Sequence, residues 1–206
     1  MTLVYLLLGL LLAGFLWLCY GTWRIGRLST GAPIGPRPGI ALLLVDLQTV
    51  FWEGGAYAEA DKTRAAAAIE QEIAEAKARN RPIIAVRQEW SQPETKTLAR
   101  LFMKGQALPG SPGTEIAAPF AGAAQHALVK RVQDGFETGA LDPLLSELDV
   151  GALRIVGLDF NYCVLKTALA ARQRGYDVTV VTAGTLAAGA RATSEARLSG
   201  AGVRLA

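Results

Sequence analysis

Histidine is almost missing from this sequence: His126 is the only one in 206 residues. One imidazole does not make a zinc or iron site, so no metal and no other cofactor is expected. Cysteine is nearly as scarce. Cys19 lies in an apolar run near the start and Cys163 far beyond it, so an intramolecular disulfide is excluded and Cys163 reads as a free thiol. A charge excess is missing too, once the chain is divided. It carries 21 Lys and Arg against 18 Asp and Glu, and the first 40 residues hold Arg24, Arg27, Arg37 and no acid. Residues 41–206 therefore carry 18 of each sign. A neutral portion of that kind lacks the electrostatic footprint of a nucleic-acid binder. There is also no internal repeat and no low-complexity tract.

What is present begins with "TLVYLLLGLLLAGFLWLCYGTW", from Thr2 to Trp23, which has no charged side chain. About 20 such residues suffice for a helix to cross a bilayer. A cleaved secretory signal is the rival reading, but such signals start with a basic stretch and end at a small-x-small site. Here no basic side chain precedes the run and "LWLCYG" is a poor site. We therefore read residues 1–26 as a retained single-pass membrane anchor. Arginines just after a span favour the cytoplasmic side, which puts the rest of the chain in the cytoplasm. "RLSTGAPIGPRPG", rich in Gly and Pro, makes residues 27–39 an irregular linker.

From Ile40 apolar runs alternate with amphipathic stretches. "IALLLVD", "RPIIAVRQ", "ALVKRV", "LRIVGL", "DVTVVT" and "GVRLA" read as strands. "ADKTRAAAAIEQEIAEAKARN" reads as a helix with Ala65, Ile69, Ile73 and Ala76 on one face. Further helices are expected at "ALDPLLSEL", at "YCVLKTALAARQRG" and from about Ala188 to Ser199. Ser91 to His126 shows no clear period beyond one helical turn at "TLARLF", and a loop of that length is usually functional. This alternation predicts an α/β domain over residues 40–206, a three-layer, doubly wound, mainly parallel six-stranded sheet.

Ligands of such sheets bind beyond the carboxyl ends of the strands. Three residues stand there: Asp46 after the first strand, Lys130 at the end of the third and Cys163 after the fourth. A thiol at a helix N-terminus beside an ammonium is expected to have a lowered pKa. A carboxylate could take its proton, and turn N–H groups could hold an oxyanion. Each residue also has a plainer reading. Asp46 could cap the next turn, Lys130 could be a solvated surface lysine, and Cys163 could be a small buried hydrophobe. His126 reads as structural or as a rim residue. Phe51, Trp90 and Tyr162 are candidates for a substrate pocket, Gln48 for a contact with Asp46's surroundings, and Arg87 for pairing with a substrate carboxylate or for an exposed loop.

Three ordered blocks resemble a known family. "LLLVDLQTVFWEGGAY", "VKRVQDGFETGALDPLLSELDV" and "IVGLDFNYCVLKTALAARQRGYDVTVV" are similar to blocks of the isochorismatase-like cysteine hydrolases, over about residues 40–206. That superfamily includes nicotinamidase, N-carbamoylsarcosine amidohydrolase and isochorismatase. The resemblance implies a triad of Asp46 as base, Lys130 as stabiliser of the thiolate and Cys163 as nucleophile. It also implies a cis peptide at Leu158–Asp159, an oxyanion hole from the backbone N–H groups of Asp159 and Cys163, and a homo-oligomer.

The chain departs from the family where a Thr-Asp pair is common and Phe160 and Asn161 stand instead. Ala183 stands where relatives often carry an acid. The family's nicotinamidases hold a metal on an aspartate and several histidines, and "RQEWSQPETKT" supplies no Asp-x-His pattern. The expectation is metal-independent cleavage of a C–N bond in a small amide, carbamoyl or ureido substrate through a thioester. Two alternatives stand beside it: a catalytically silent membrane-anchored binding module, and a vinyl-ether hydrolase of the isochorismatase type.

Overall fold

The computed structural model describes residues 1–206. Helix α1 (Thr2–Gly26) is followed by an irregular segment and then β1 (Gly39–Val45), α2 (Thr49–Trp52) and α3 (Glu59–Ala78). Next come β2 (Ile83–Gln88), α4 (Pro93–Phe102), β3 (His126–Lys130) and α5 (Leu141–Glu147). β4 (Val150–Gly157) leads through a π-turn, Phe160–Val164, into α6 (Leu165–Gln173). β5 (Asp177–Thr185), α7 (Ala192–Gly200) and β6 (Arg204–Leu205) complete the chain.

The six strands form one parallel sheet in the order β3-β2-β1-β4-β5-β6. Winding runs outward from β1 to β3 and, on the other side, from β4 to β6, so the switch point lies between β1 and β4. Their apolar runs are buried on both faces because successive side chains point to opposite sides. Ala41, Leu43 and Val45 join the core under α5, α6 and α7, whereas Leu42 and Leu44 join the core under α3. Ala65, Ile69, Ile73 and Ala76 are all buried in that second core, as the helical period requires. Register levels the strand ends that matter: Val45 pairs with Val86 and Gly157, and Gln88 pairs with Lys130.

Gly157 has φ +122°, and a Cβ there would strike the Val45 carbonyl. Only glycine lets β4 turn so close to β1. Leu158 N–H then donates to Val45 O (3.0 Å), which fixes the turn that leads to Cys163.

Helix α1 is long and apolar enough to cross a membrane. Its residues up to Trp17 are exposed, but its last two turns are docked: Gly21 and Ile25 are buried against α4, and Arg24 pairs with Glu94 at 2.8 Å. The segment after it is irregular in conformation yet tightly held. Ser29 N–H and Oγ–H donate to Asp134 (2.7 and 2.6 Å), and Ile34 N–H donates to Arg174 O (2.7 Å). Arg174 is itself buried, and its guanidinium donates to the carbonyls of Ser29 and Thr30. At the far end Arg37 reaches Ser146 and Gly39 N–H donates to Asp149 O. The segment thus runs the height of the sheet, from its carboxyl end to its amino end.

Two helices differ from the sequence expectation. The turn at "TLARLF" is part of the longer α4, whose first half is buried through Glu94 and Thr95. α7 starts at Ala192 and not near Ala188, because Ala188 N–H donates to Asp159 and Gly189 O accepts from Asn161.

Candidate active site

Asp46, Lys130 and Cys163 converge at the carboxyl end of the sheet. Asp46 follows β1 with φ +52°, a left-handed conformation that aspartate tolerates better than most residues. Its N–H donates to Val86 O (2.9 Å), which keeps it beside β2. Lys130 ends β3 and is fully buried. Its Nζ lies 2.9 Å from Asp46 Oδ2 and 3.2 Å from Cys163 Sγ. Cys163 lies within the π-turn that opens α6, and only 9% of it is exposed.

Two further acceptors hold the ammonium: Gln88 Oε1 and the Val132 carbonyl, the latter at 3.2 Å. Gln88 closes β2 with its side chain buried, and sequence reasoning missed it. The signal was a polar residue ending a strand whose first four residues are apolar. Gln48 braces the same corner. Its Oε1 accepts from Gln88 N–H (2.6 Å), and its Nε2 donates to the carbonyls of Gln88 and Thr114. Thr114 belongs to a stretch that pairs with residues 47–50, through Thr49 N–H to Glu115 O and Ala117 N–H to Leu47 O. Part of the long aperiodic segment therefore clamps the turn that carries Asp46.

Electrostatics revise one expectation. Burial and the Asp46 carboxylate push the Cys163 thiol up, and the Lys130 ammonium offsets only part of this. The helix terminus does not prevail against desolvation. Burial likewise raises Asp46 above the usual carboxylate range, although Lys130 and the thiol oppose it. Burial works to lower Lys130, but Asp46 and Cys163 overcome it and raise it overall. The resting site thus holds a neutral thiol against a carboxylate–ammonium pair. Asp46 Oδ1 is buried and has no hydrogen-bond partner, while the thiol faces the same carboxylate.

The peptide bond Leu158–Asp159 is cis. Asp159 shapes the turn through its side chain: Oδ1 accepts from Asn161 N–H (2.7 Å), and Oδ2 accepts from Ala188 N–H (2.7 Å) and Tyr57 Oη–H (3.3 Å). Its own N–H donates to no backbone carbonyl. Tyr57 was not singled out in the sequence. Burial and the Asp159 carboxylate push its phenol up, so it stays a donor. Phe160 is buried under the Arg191 guanidinium, 4.8 Å from its ring, and packs in the core beneath α6.

The remaining candidates scatter. Phe51 is half-buried and touches both the α3 core and a small cluster of Ile25, Trp90, Leu98, Ala99 and Ala107. Trp90 belongs to that cluster, and its indole N–H is buried without a partner. Tyr162 is 54% exposed beside Cys163. Arg87 donates to Thr114 O (2.7 Å) and lies 3.5 Å from Glu89. A cavity of about 800 Å³ does not include the thiol. Its lining includes Tyr57 and Ala188, which both donate to Asp159 Oδ2.

No three His, Cys, Asp or Glu side chains stand close enough to share a metal ion. His126 starts β3, at the opposite end of that strand from Lys130. The residues present do not fit a histidine-bound metal beside the thiol.

A family model described as the Isochorismatase domain matches residues 40–202. No curated protein is similar enough in sequence to match. Among solved structures, the chain is similar to a pyrazinamidase of Pyrococcus horikoshii in complex with zinc, at 23% identity over 82% of this chain and 99% of that chain, TM-score 0.69. It is similar to N-carbamoylsarcosine amidase from Thermoplasma acidophilum, at 22% identity over 82% and 95%, TM-score 0.70. Nicotinamidase from Bacillus subtilis aligns at 18% identity over 82% and 99%, TM-score 0.69. At these identities the structures speak for the fold, and the family model speaks for descent. On that match, which spans most of the chain, the protein belongs to the isochorismatase family of hydrolases.

Proposed function

We propose that the protein is a cysteine hydrolase that cleaves the C–N bond of a small amide, carbamoyl or ureido compound. The observation that carries this reading is one ammonium, Lys130 Nζ, hydrogen-bonded to both the Asp46 carboxylate and the Cys163 sulfur. A thiol raised by burial needs a base at the moment of attack, and the unpartnered Asp46 Oδ1 is placed to be that base. Cys163 Sγ attacks the carbonyl carbon while its proton passes to Asp46. The oxyanion is held by the backbone N–H groups of Asp159 and Cys163. Collapse breaks the C–N bond, Asp46 returns its proton to the departing nitrogen, and ammonia or an amine leaves a thioester on Cys163. Asp46 then takes a proton from water as it attacks the thioester, which releases the acid and the thiol. Lys130 keeps its charge throughout and balances the carboxylate or the developing thiolate. Phe51, Trp90 and Tyr162 are proposed to line the substrate's approach.

The α1 segment is proposed to anchor the protein as a single-pass span, residues 1–26, with residues 27–39 as connection and residues 40–206 as a cytoplasmic hydrolase domain. Its unbroken apolar exposure and the arginines at its end support this. Family resemblance supports a homo-oligomer.

Ammonia release from a panel of small amides and ureido acids tests the reading. Activity that disappears in Cys163→Ala, with an acyl adduct on Cys163 found by mass spectrometry in the native protein, is the expected result. Turnover that survives the substitution would overturn it.

A further inference from the structure

Beyond residues 1–26 and apart from Tyr162, the only exposed large hydrophobic side chains are Leu101 and Phe102, at 61% and 72%. Both lie at the carboxyl end of α4. How α4 lies on α1 fixes where that end points. Glu94 meets both Gly21 and Arg24, Leu98 lies against Gly21 one turn further, and the cluster that joins Ile25 to Trp90 before α4 reaches Leu18 beside Leu98 and Ala99. A step toward the carboxyl end of α4 is therefore a step toward the amino end of α1. One more turn brings Leu101 and Phe102 level with Trp17 and Leu18, inside the apolar run. Leu18 is accordingly half-buried against the cluster that contains Leu98 and Ala99.

Arg100 and Lys104 flank the apolar pair and are exposed. On α1, Trp17, Tyr20 and Trp23 are exposed rings that run from that level toward the end of the helix. Apolar tips, rings at the headgroup level and cations beside them match the layered chemistry of a bilayer surface. The docking is also rigid, since Ile25 O accepts from Gln133 N–H (3.1 Å) and Ser29 is bonded to Asp134.

We propose that the carboxyl end of α4 is a membrane-contact surface. Leu101 and Phe102 enter the interfacial layer of the bilayer that α1 spans, and Arg100 and Lys104 meet its lipid phosphates. This rests on the reading of α1 as an anchor. The contact fixes the carboxyl end of the sheet, where Asp46, Lys130 and Cys163 meet, on the membrane side of the domain. The opposite end of the sheet faces away from the membrane.

The test uses the full chain in phosphatidylcholine–phosphatidylserine vesicles. Phe102→Trp adds an indole whose emission is read as the difference from the unsubstituted protein, and Leu101→Trp serves as a second reporter should the first variant misfold. Arg79→Trp, at the amino end of the sheet, is the comparison. Lipids brominated high on the acyl chain should remove roughly half of the emission added at position 102 or 101 and leave that at 79 unchanged. Unquenched emission at 101 and 102 in protein that stays in the carbonate-washed pellet overturns the contact and leaves the anchor standing. Equal quenching at 79 overturns the proposed orientation. Recovery in the supernatant overturns both contact and anchor.

Discussion

Two buried cations stand on the two sides of this molecule's division of labour. Arg174 is 1% exposed and every one of its five N–H bonds is matched. Nε donates to Asp142, Nη1 to the carbonyls of Ser29 and Ala170, and Nη2 to Ser29 Oγ and Thr30 O. The guanidinium also lies 4.5 Å over the Phe136 ring. Lys130 is equally buried but differently served. Its three protons face four acceptors, and the carboxylate it balances keeps one oxygen without a partner. A fully matched fork has a single arrangement and can only hold the connecting segment in place. An ammonium with a surplus acceptor can shift its weight between Asp46 and Cys163 as a proton leaves the sulfur. Burial is common to both charges; the matching of their protons is what differs.

Four experiments would break or sharpen this contrast. Cys163→Ala should lower amide turnover by about 10⁴-fold or more while the thermal midpoint of the full chain in detergent stays near that of the native protein. A large loss of stability would mean that the thiol is a packing residue. Arg174→Met should do the reverse. It strands the carbonyls of Ser29, Thr30 and Ala170 and should cost about 3 kcal/mol in urea unfolding. Limited proteolysis should then cut within residues 27–38, with turnover per folded molecule unchanged.

Gln88→Leu removes one of Lys130's acceptors without touching substrate, so kcat should fall about tenfold with KM nearly constant. An equal loss in a vinyl-ether assay and none in the amide assay would reassign the site. The mildest effect is on pH. Protonation of Asp46 removes the acceptor for the thiol proton, so kcat/KM must fall as pH falls through the Asp46 value. Burial raises that value above 3.8, so the acid limb should lie above that of an ordinary carboxylate. Lys130, raised above 10.5, stays charged through neutrality and adds no limb there. A pH–rate profile flat down to about pH 4 would exclude Asp46 as the base.

The sheet was legible because its strands are buried on both faces and their sequences are continuous apolar runs. The helix period of α3 likewise named its buried face residue by residue. What escaped depends on partners distant in sequence. The first half of α4 is polar, and Glu94 is buried only because Arg24 reaches it from the other end of the chain. The late start of α7 comes from Asp159 and Asn161, which engage residues 188 and 189. Residues 27–38 are irregular and rich in Gly and Pro, while Gly39 already opens β1, and nothing in that stretch reveals that Arg174 and Asp134 hold it. At the site, strand-end logic and family resemblance named Asp46, Lys130 and Cys163, which the structure brings together. Gln88 and Tyr57 went unnamed, since each matters through a neighbour and not through a motif. The direction of the thiol's pKa was misjudged because a helix terminus is visible in sequence and the depth of burial is not.

The strap from Leu28 to Gly39 leaves no hinge between α1 and the sheet. If α1 spans a bilayer as proposed, any tilt that suits a thinner or thicker membrane must therefore carry the whole domain with it, like a rudder fixed to its post. Lipid thickness would then be converted into the angle at which the hydrolase meets its surroundings.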